Sequence, residues 1–175
     1  MQTFHIYKNL AWLNDLPADE AEDVFLDCCG SSKWARRMAA ARPFPLLDDL
    51  FHKAERVWFA LTPGDWLEAF AAHPKIGSKK AAPAQGKRAA QWSAVEQSGM
   101  FTADDYVKVE LAEANSLYEQ RFGFIFIVCA SGKSPDEMLA ICNARLKNSA
   151  ETEMRIAADE QRKITEIRLN KLLEK

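Results

Sequence analysis

The chain has 175 residues, of which 48% are hydrophobic and 27% are charged, and this composition predicts one compact domain over residues 1–175. Its net charge of -2, with Lys and Arg scattered among acids, argues against nucleic acid or an anionic membrane surface as a partner. No run approaches the roughly 18 to 20 apolar residues that a membrane-spanning helix needs. We therefore expect a soluble protein.

The cysteines indicate a reducing compartment. Cys28, Cys29, Cys129 and Cys142 form no CxxC pair and lie mostly among apolar residues, which is typical of reduced, buried thiols. The first residues lack the charged and apolar regions of an export signal. We predict a cytoplasmic protein whose cysteines fill the core and do not act as nucleophiles.

Helix-start and helix-stop residues recur along the chain while alternating strand patterns are few, so we predict an all-α fold. Ser31 and Thr62 are expected N-caps, and Gly30 is an expected helix end. In chain order, the predicted helices begin at or just after Pro17, Ser31, Pro45, Thr62, Ser93, Thr102 and Ser134, and the last one runs from about Ala150 to Leu173.

Two segments break the helical pattern. Residues 79–88 are basic and interrupted by Ala, Pro and Gly, which predicts a mobile surface loop. Residues 122–130 are uncharged and rich in aromatic and β-branched side chains, which predicts a short extended, buried segment. Because no partner strand is evident and buried backbone groups nearly always find partners, this segment needs another source of hydrogen bonds. A polar ligand is one such source.

His73 is the first candidate for acid–base chemistry. It stands at the end of an apolar helix and precedes Pro74, which biases it away from α geometry and would project the imidazole off the helix end. The helix dipole would favour the protonated ring there, and a histidine near neutrality can act as an acid or a base. Alternatively, His73 only caps the last helical carbonyls, and the local sequence leaves both interpretations open.

Glu96 is the second candidate. Ser93 and Glu96 have the Ser-x-x-Glu spacing of a capping box, in which each side chain accepts a backbone N–H from the other residue. Taken alone, this spacing favours the structural role. In the functional alternative, the Glu96 carboxylate lies beside His73 and orients the imidazole or favours its charged form.

Other kinds of site have weaker support. His5 and His52 have no Asp, Glu or Cys at a metal-binding spacing, so we predict no metal site. The chain has neither a GxGxxG motif nor a P-loop, which argues against a nucleotide site. Arg168 lies among apolar residues and is either a snorkelling side chain or one directed at an anionic ligand.

Six segments of the chain form a recognisable set. They are Cys28-Cys29-Gly30-Ser31 with Trp34, Arg42-Pro43-Phe44, His73-Pro74-Lys75-Ile76-Gly77, Ser93-Ala94-Val95-Glu96-Gln97-Ser98-Gly99, Phe122-Gly123-Phe124-Ile125-Phe126 and Ile164 to Arg168. Each is weak alone, but together they cover nearly the whole chain, and in this order they resemble one known family, 2-oxo-4-hydroxy-4-carboxy-5-ureidoimidazoline (OHCU) decarboxylase. The resemblance implies an all-helical, cofactor-free enzyme of urate degradation that releases a carboxylate stereoselectively to give (S)-allantoin.

The resemblance also implies roles for individual residues. His73 would be the catalytic acid or base and Glu96 its carboxylate partner. Arg168 would hold an anionic or carbonyl group, although Arg162 on the same helix is an alternative. The implied partner is a small anionic substrate, with no cofactor or metal, and a homodimer is left open. The other implied substrate-binding residues are Pro74, Ser93, Gln97 and the segment Phe122, Gly123, Phe124, Ile125 and Phe126.

Two other functions stay open at this point. One is a helical protein that binds a ureide without turnover. The other is a cofactor-free hydrolase of a related ureide, in which His73 activates water. Carbon dioxide release separates a decarboxylase from a hydrolase, and product formation separates both from a binding protein.

Overall fold

The predicted all-α fold is confirmed. A computed structural model describes residues 2–78, 82 and 86–174, and the side chains from residue 9 onward. These residues form helices and no β-strand, and none of their helices is long and apolar enough to cross a membrane. The helices are α1 Gln2–Asp15, α2 Ala18–Cys29, α3 Ser32–Ala40, α4 Leu47–Phe59, α5 Pro63–Ala71, α6 Lys87–Glu96, a 3₁₀ helix Ser98–Thr102, α7 Asp105–Phe122, α8 Pro135–Arg145 and α9 Ala150–Leu173.

Residues 2–68 and 162–174 form one compact unit. Gly30 ends α2 with φ 85°, a left-handed conformation that glycine adopts without strain. Ser31 then caps α3 by accepting the backbone N–H of Trp34 at 3.3 Å. The buried Trp34 ring donates from Nε1 to the Ala54 carbonyl at 3.0 Å, which ties α3 to α4. The predicted boundary between α2 and α3 is confirmed.

Residues 69–161 form a second compact unit. Its core contains Tyr118, whose ring lies 5.7 Å from that of Phe124 and 5.4 Å from that of Phe126. The predicted start of α8 is confirmed, since Ser134 and Glu137 bond to each other's backbone N–H as a capping box. The single domain expected from the sequence stays a prediction.

The structure differs from the sequence-based predictions at four helices. Helix α4 begins at Leu47, two residues after the predicted start at Pro45. Helix α6 begins at Lys87 and not at Ser93, because good helix formers continue the helix upstream as far as its N-cap, Gly86. Helix α7 begins at Asp105 and not at Thr102, which ends the 3₁₀ helix. Helix α1 was not predicted. Of the predicted loop 79–88, residues 79–81 and 83–85 lie outside the described residues.

Residues 123–130 are non-helical, as predicted, and most of them are buried. Side chains supply hydrogen bonds that a neighbouring strand would otherwise provide. Arg145 Nη1 donates to the Ile127 carbonyl at 2.7 Å, and Glu160 Oε2 accepts the Cys129 N–H at 2.7 Å. Lys133 Nζ donates to the Cys129 carbonyl at 2.8 Å. These backbone groups therefore need no ligand as a partner.

A buried ionic network holds Arg145 in place. Its Nε donates to Glu153 Oε1 at 2.6 Å, and its guanidinium lies 4.8 Å from the Phe126 ring centroid. The Tyr118 hydroxyl donates to the same carboxylate, and Asn148 Nδ2 donates to its other oxygen at 2.9 Å. Burial raises the pKa of Tyr118 well above its usual value, so the hydroxyl remains a donor. The charge of Glu153 is thus compensated from several sides.

Replacing Arg145 with Met should lower the free energy of unfolding by about 3 to 5 kcal/mol, because it leaves the Glu153 carboxylate buried without its cation. The matched control is Arg155→Met, which removes an exposed arginine paired with Glu151 on α9. The control should change stability by about 0.5 kcal/mol or less. Urea unfolding measures both variants, and equal losses would contradict a special role for the buried pair.

Candidate functional site

His73 lies just beyond the end of α5. Its backbone N–H donates to the Phe70 carbonyl at 3.1 Å, so the main chain closes the last turn of the helix. The imidazole is half-buried, and its Nε2 lies 2.6 Å from Oε1 of Gln161 on α9, 88 positions along the chain. The imidazole is therefore bonded to a distant part of the unit, while the backbone of His73 is bonded to its own helix.

Glu96 is the last residue of α6, and the capping-box interpretation of it is wrong. The helix has Gly86 as its N-cap, so Ser93 lies inside it and contributes its backbone N–H to the helical hydrogen bonds. Ser93 is buried and Glu96 half-buried, and they share a helix face with the buried Ala89 because they are three and four residues apart. The spacing that resembles a capping box is instead the spacing of one helix face.

The His73 and Glu96 motifs lie together in this unit. The Gly77 backbone N–H donates to Gln97 Oε1 at 3.0 Å, which joins the loop after His73 to the residue after Glu96. Asn115 on α7 fixes the same loop by donating from Nδ2 to the Ile76 carbonyl at 3.1 Å. Two segments that are about twenty residues apart in sequence are thereby held against each other.

Cys129 lies near carboxylates from two helices, Glu96 at the end of α6 and Glu160 on α9. Burial raises the pKa of the Cys129 thiol, Lys133 opposes this shift, and the nearby Glu160 and Glu96 carboxylates reinforce it. Glu160 also accepts the Cys129 N–H, and its neighbour Gln161 contacts His73. Acidic groups from α6 and α9 thus lie close to one end of the extended segment.

The segment 122–126 is only partly extended. Phe122 is the last residue of α7, which corrects the prediction that the extended segment begins there, and Gly123 ends the helix with φ 77°. Phe124 and Phe126 are buried among aromatic rings, whereas Gly123 is exposed and Ile125 half-buried. This alternation is typical of extended backbone, and it leaves the main chain and Ile125 as the surface of the segment.

The two arginines of α9 have different environments within the first unit. Arg168 is 2% exposed, and its Nη1 lies 3.5 Å from the Asp27 carbonyl. Arg162 is more exposed, pairs with Glu166 at 2.9 Å and lines a cavity of about 270 Å³ beside α4. Of the two guanidinium groups, that of Arg168 is therefore the more enclosed by protein.

The described cysteines are all buried, as predicted. Burial raises the pKa of Cys29 to about 12 and that of Cys142 to about 11. Both thiols therefore remain protonated near neutral pH, where a nucleophilic cysteine needs a depressed pKa. These environments support core packing over catalysis.

The sequence analysis missed Glu160 and Gln161. Neither belongs to a recognised motif, and their contacts involve residues far away in sequence. One signal was available: Gln161 stands three or four residues from Ala157, Ala158 and Ile164, which are buried on the same face of α9. A polar side chain at a core position of an amphipathic helix marks a hydrogen bond to a distant partner.

Comparisons with known proteins agree on one family. A family model described as OHCU decarboxylase matches residues 14–170. The uric acid degradation bifunctional protein TTL of Arabidopsis thaliana is 44% identical over 153 residues, which are 86% of this chain and 47% of the relative. The 2-oxo-4-hydroxy-4-carboxy-5-ureidoimidazoline decarboxylase of Haloferax volcanii is 30% identical over 161 residues, 91% of this chain and 93% of the relative.

The fold also matches a solved structure. A crystal structure of OHCU decarboxylase in the presence of (S)-allantoin aligns with a TM-score of 0.76 and 41% sequence identity, and the match covers 87% of this chain and 99% of that one. The chain spans about half the length of the bifunctional Arabidopsis relative, whereas it spans nearly all of the Haloferax protein.

Proposed function

Because the chain belongs to the OHCU decarboxylase family, a family of carboxy-lyases in urate degradation, we propose that it converts OHCU to (S)-allantoin without a cofactor. The observation that carries this proposal is the hydrogen bond from Gly77 to Gln97, which holds the His73 and Glu96 motifs together. An imidazole and a carboxylate on adjoining segments can move the protons that such a reaction requires.

The reaction breaks the bond between a ring carbon and its carboxylate. The electron pair left behind enters the adjacent ring imine or carbonyl, so the substrate itself can serve as the electron sink that a cofactor supplies in other decarboxylases. In this proposal His73, assisted by Glu96, exchanges a proton with the substrate hydroxyl or ring as carbon dioxide leaves. A proton is then delivered to one face of the ring, which makes the product one-handed.

The remaining proposed roles concern binding. Pro74, Ser93 and Gln97 contact and hydrogen-bond the substrate, while Arg168 holds an anionic or carbonyl group. The main chain of residues 123–126 offers hydrogen bonds to the amide-like ring, and the aromatic side chains packed behind it help to exclude water. A cytoplasmic location and a homodimer also remain predictions.

The direct test starts from freshly prepared 5-hydroxyisourate and the hydrolase that converts it to OHCU. Circular dichroism then follows the handedness of allantoin, and released carbon dioxide is measured in parallel. We expect (S)-allantoin to form faster than the spontaneous reaction allows, with one carbon dioxide for each product molecule. Racemic product at the spontaneous rate, or turnover without carbon dioxide, would contradict the proposal.

Replacing His73 with Asn should lower kcat by about 10²- to 10⁴-fold, because positioned acid–base catalysis contributes that much. The matched control is His52→Asn, which alters an exposed histidine on α4. Thermal melting checks that both variants are folded. Full stereoselective turnover by the folded His73 variant would remove this residue from the mechanism.

Replacing Glu96 with Gln keeps the size and a hydrogen-bonding oxygen but removes the negative charge. We expect a loss of at least about tenfold in kcat with little change in melting temperature, because the residue does not cap α6. Glu113→Gln, on the exposed face of α7, is the control for loss of a carboxylate. Unchanged activity of the Glu96 variant would show that its charge has no part in the reaction.

Replacing Arg168 with Lys should raise KM by about tenfold or more, because the lysine ammonium cannot reproduce the planar two-pronged contact of a guanidinium. Arg162 lies six residues earlier on the same helix, and Arg162→Lys should leave KM within about twofold. Initial rates over a range of substrate concentrations distinguish the two. The reverse pattern would transfer the binding role to Arg162.

A further inference from the structure

Gln161 is a buried polar residue with a specific distant partner. Its side chain is 0% exposed, and its Oε1 lies 2.6 Å from Nε2 of His73. Burying an amide group without a hydrogen bond costs free energy, so the buried position of the Gln161 side chain depends on its hydrogen-bond partners. The contact is short and joins α9 to the loop that follows α5.

The contact has a direct consequence for the imidazole. An amide oxygen only accepts hydrogen bonds, so Nε2 of His73 must carry the hydrogen in this contact. In a neutral imidazole, the other nitrogen, Nδ1, then holds the lone pair. The contact of Nε2 with Gln161 thus makes Nδ1 the nitrogen that can accept a proton.

Gln161 is itself held at a fixed place. The adjacent residue, Glu160, accepts the Cys129 N–H at 2.7 Å, so one turn of α9 is bonded both to the extended segment and to the histidine. The His73 backbone is bonded to the Phe70 carbonyl at 3.1 Å. His73 is therefore held both at its backbone N–H and at the ring atom Nε2.

We propose that Gln161 is a positioning residue that holds His73 as the Nε2-protonated tautomer, so that Nδ1 is the ring nitrogen that accepts a proton in the reaction. This inference rests on the proposed function of His73 as the acid or base. A neutral amide suits this task, because it orients the ring without adding a charge that would hold the proton on it. Gln161 acts through His73 and has no required contact with the substrate.

The first experiment reads the tautomer without any need for activity. Long-range ¹H–¹⁵N spectra of the full chain with labelled histidine distinguish the two neutral forms, and His73→Asn identifies the His73 signals among those of the three histidines. We expect the Nε2-protonated form in the wild type and a mixture of tautomers in Gln161→Leu. A wild-type ring protonated at Nδ1, or an unchanged spectrum in Gln161→Leu, would overturn the inference.

The second experiment reads the kinetic effect. Gln161→Leu should lower kcat by roughly 10- to 100-fold, as is typical when the group that orients a functional histidine is lost, with a much smaller change in KM. Gln161→Glu retains an accepting oxygen, so it should keep the wild-type tautomer and a higher kcat than Gln161→Leu. Gln120→Leu on the exposed side of α7 is the matched control.

These outcomes separate the inference from the proposed function. If Gln161→Leu unfolds, Gln161→Met, whose side chain has a similar length but no accepting amide oxygen, supplies the tautomer and kcat readouts. Loss of the tautomer in Gln161→Leu with full kcat would overturn the positioning role while the decarboxylase function stands. A wild type that makes no (S)-allantoin but shows the expected tautomer would instead defeat the proposed function.

Discussion

The second unit depends on one constraint: a buried stretch of main chain without a neighbouring strand must still have its polar groups bonded. At Ile127 and Cys129 the partners are side chains of Arg145, Glu160 and Lys133. Two of these come from neighbouring helices, which brings charged groups into a mainly apolar region. The buried network around Arg145 follows from this need, since a buried cation requires a buried anion.

Helix α9 meets much of this need. Glu153 holds Arg145, and Glu160, seven residues further on and hence on nearly the same face, bonds to Cys129. Gln161 then contacts His73. The same stretch of helix that supports the extended segment also fixes the ring of the candidate acid or base, so structural and functional positions are linked through one rigid element.

The sequence predicted features that local chemistry decides. Three such features are confirmed: the boundary at Gly30 and Ser31, the capping box at Ser134, and both ends of α9. Each depends on residues within a few positions of each other. The interpretation of Ser93 with Glu96 was wrong because a spacing of three residues serves equally well for a cap and for one face of a continuing helix.

The candidate site could be predicted only in part, because its contacts are long-range. The His73 and Glu96 segments stood out by their motifs, but the hydrogen bond from Gly77 to Gln97 depends on how α6 is placed. The partner of His73 lies 88 positions away and carries no motif. Only a polar residue among the core positions of α9 hinted at it, and that pattern does not name the partner.

The alternation along residues 123–126 has an evolutionary consequence. Phe124 and Phe126 turn into the core, so a ligand approaching this stretch meets peptide groups and Ile125. Peptide groups are the same whatever the side chain, so point mutations have few ways to retune recognition there. Selectivity in the proposed substrate contact along residues 123–126 therefore follows from the path of the chain, and insertions or deletions change that path more readily than substitutions do.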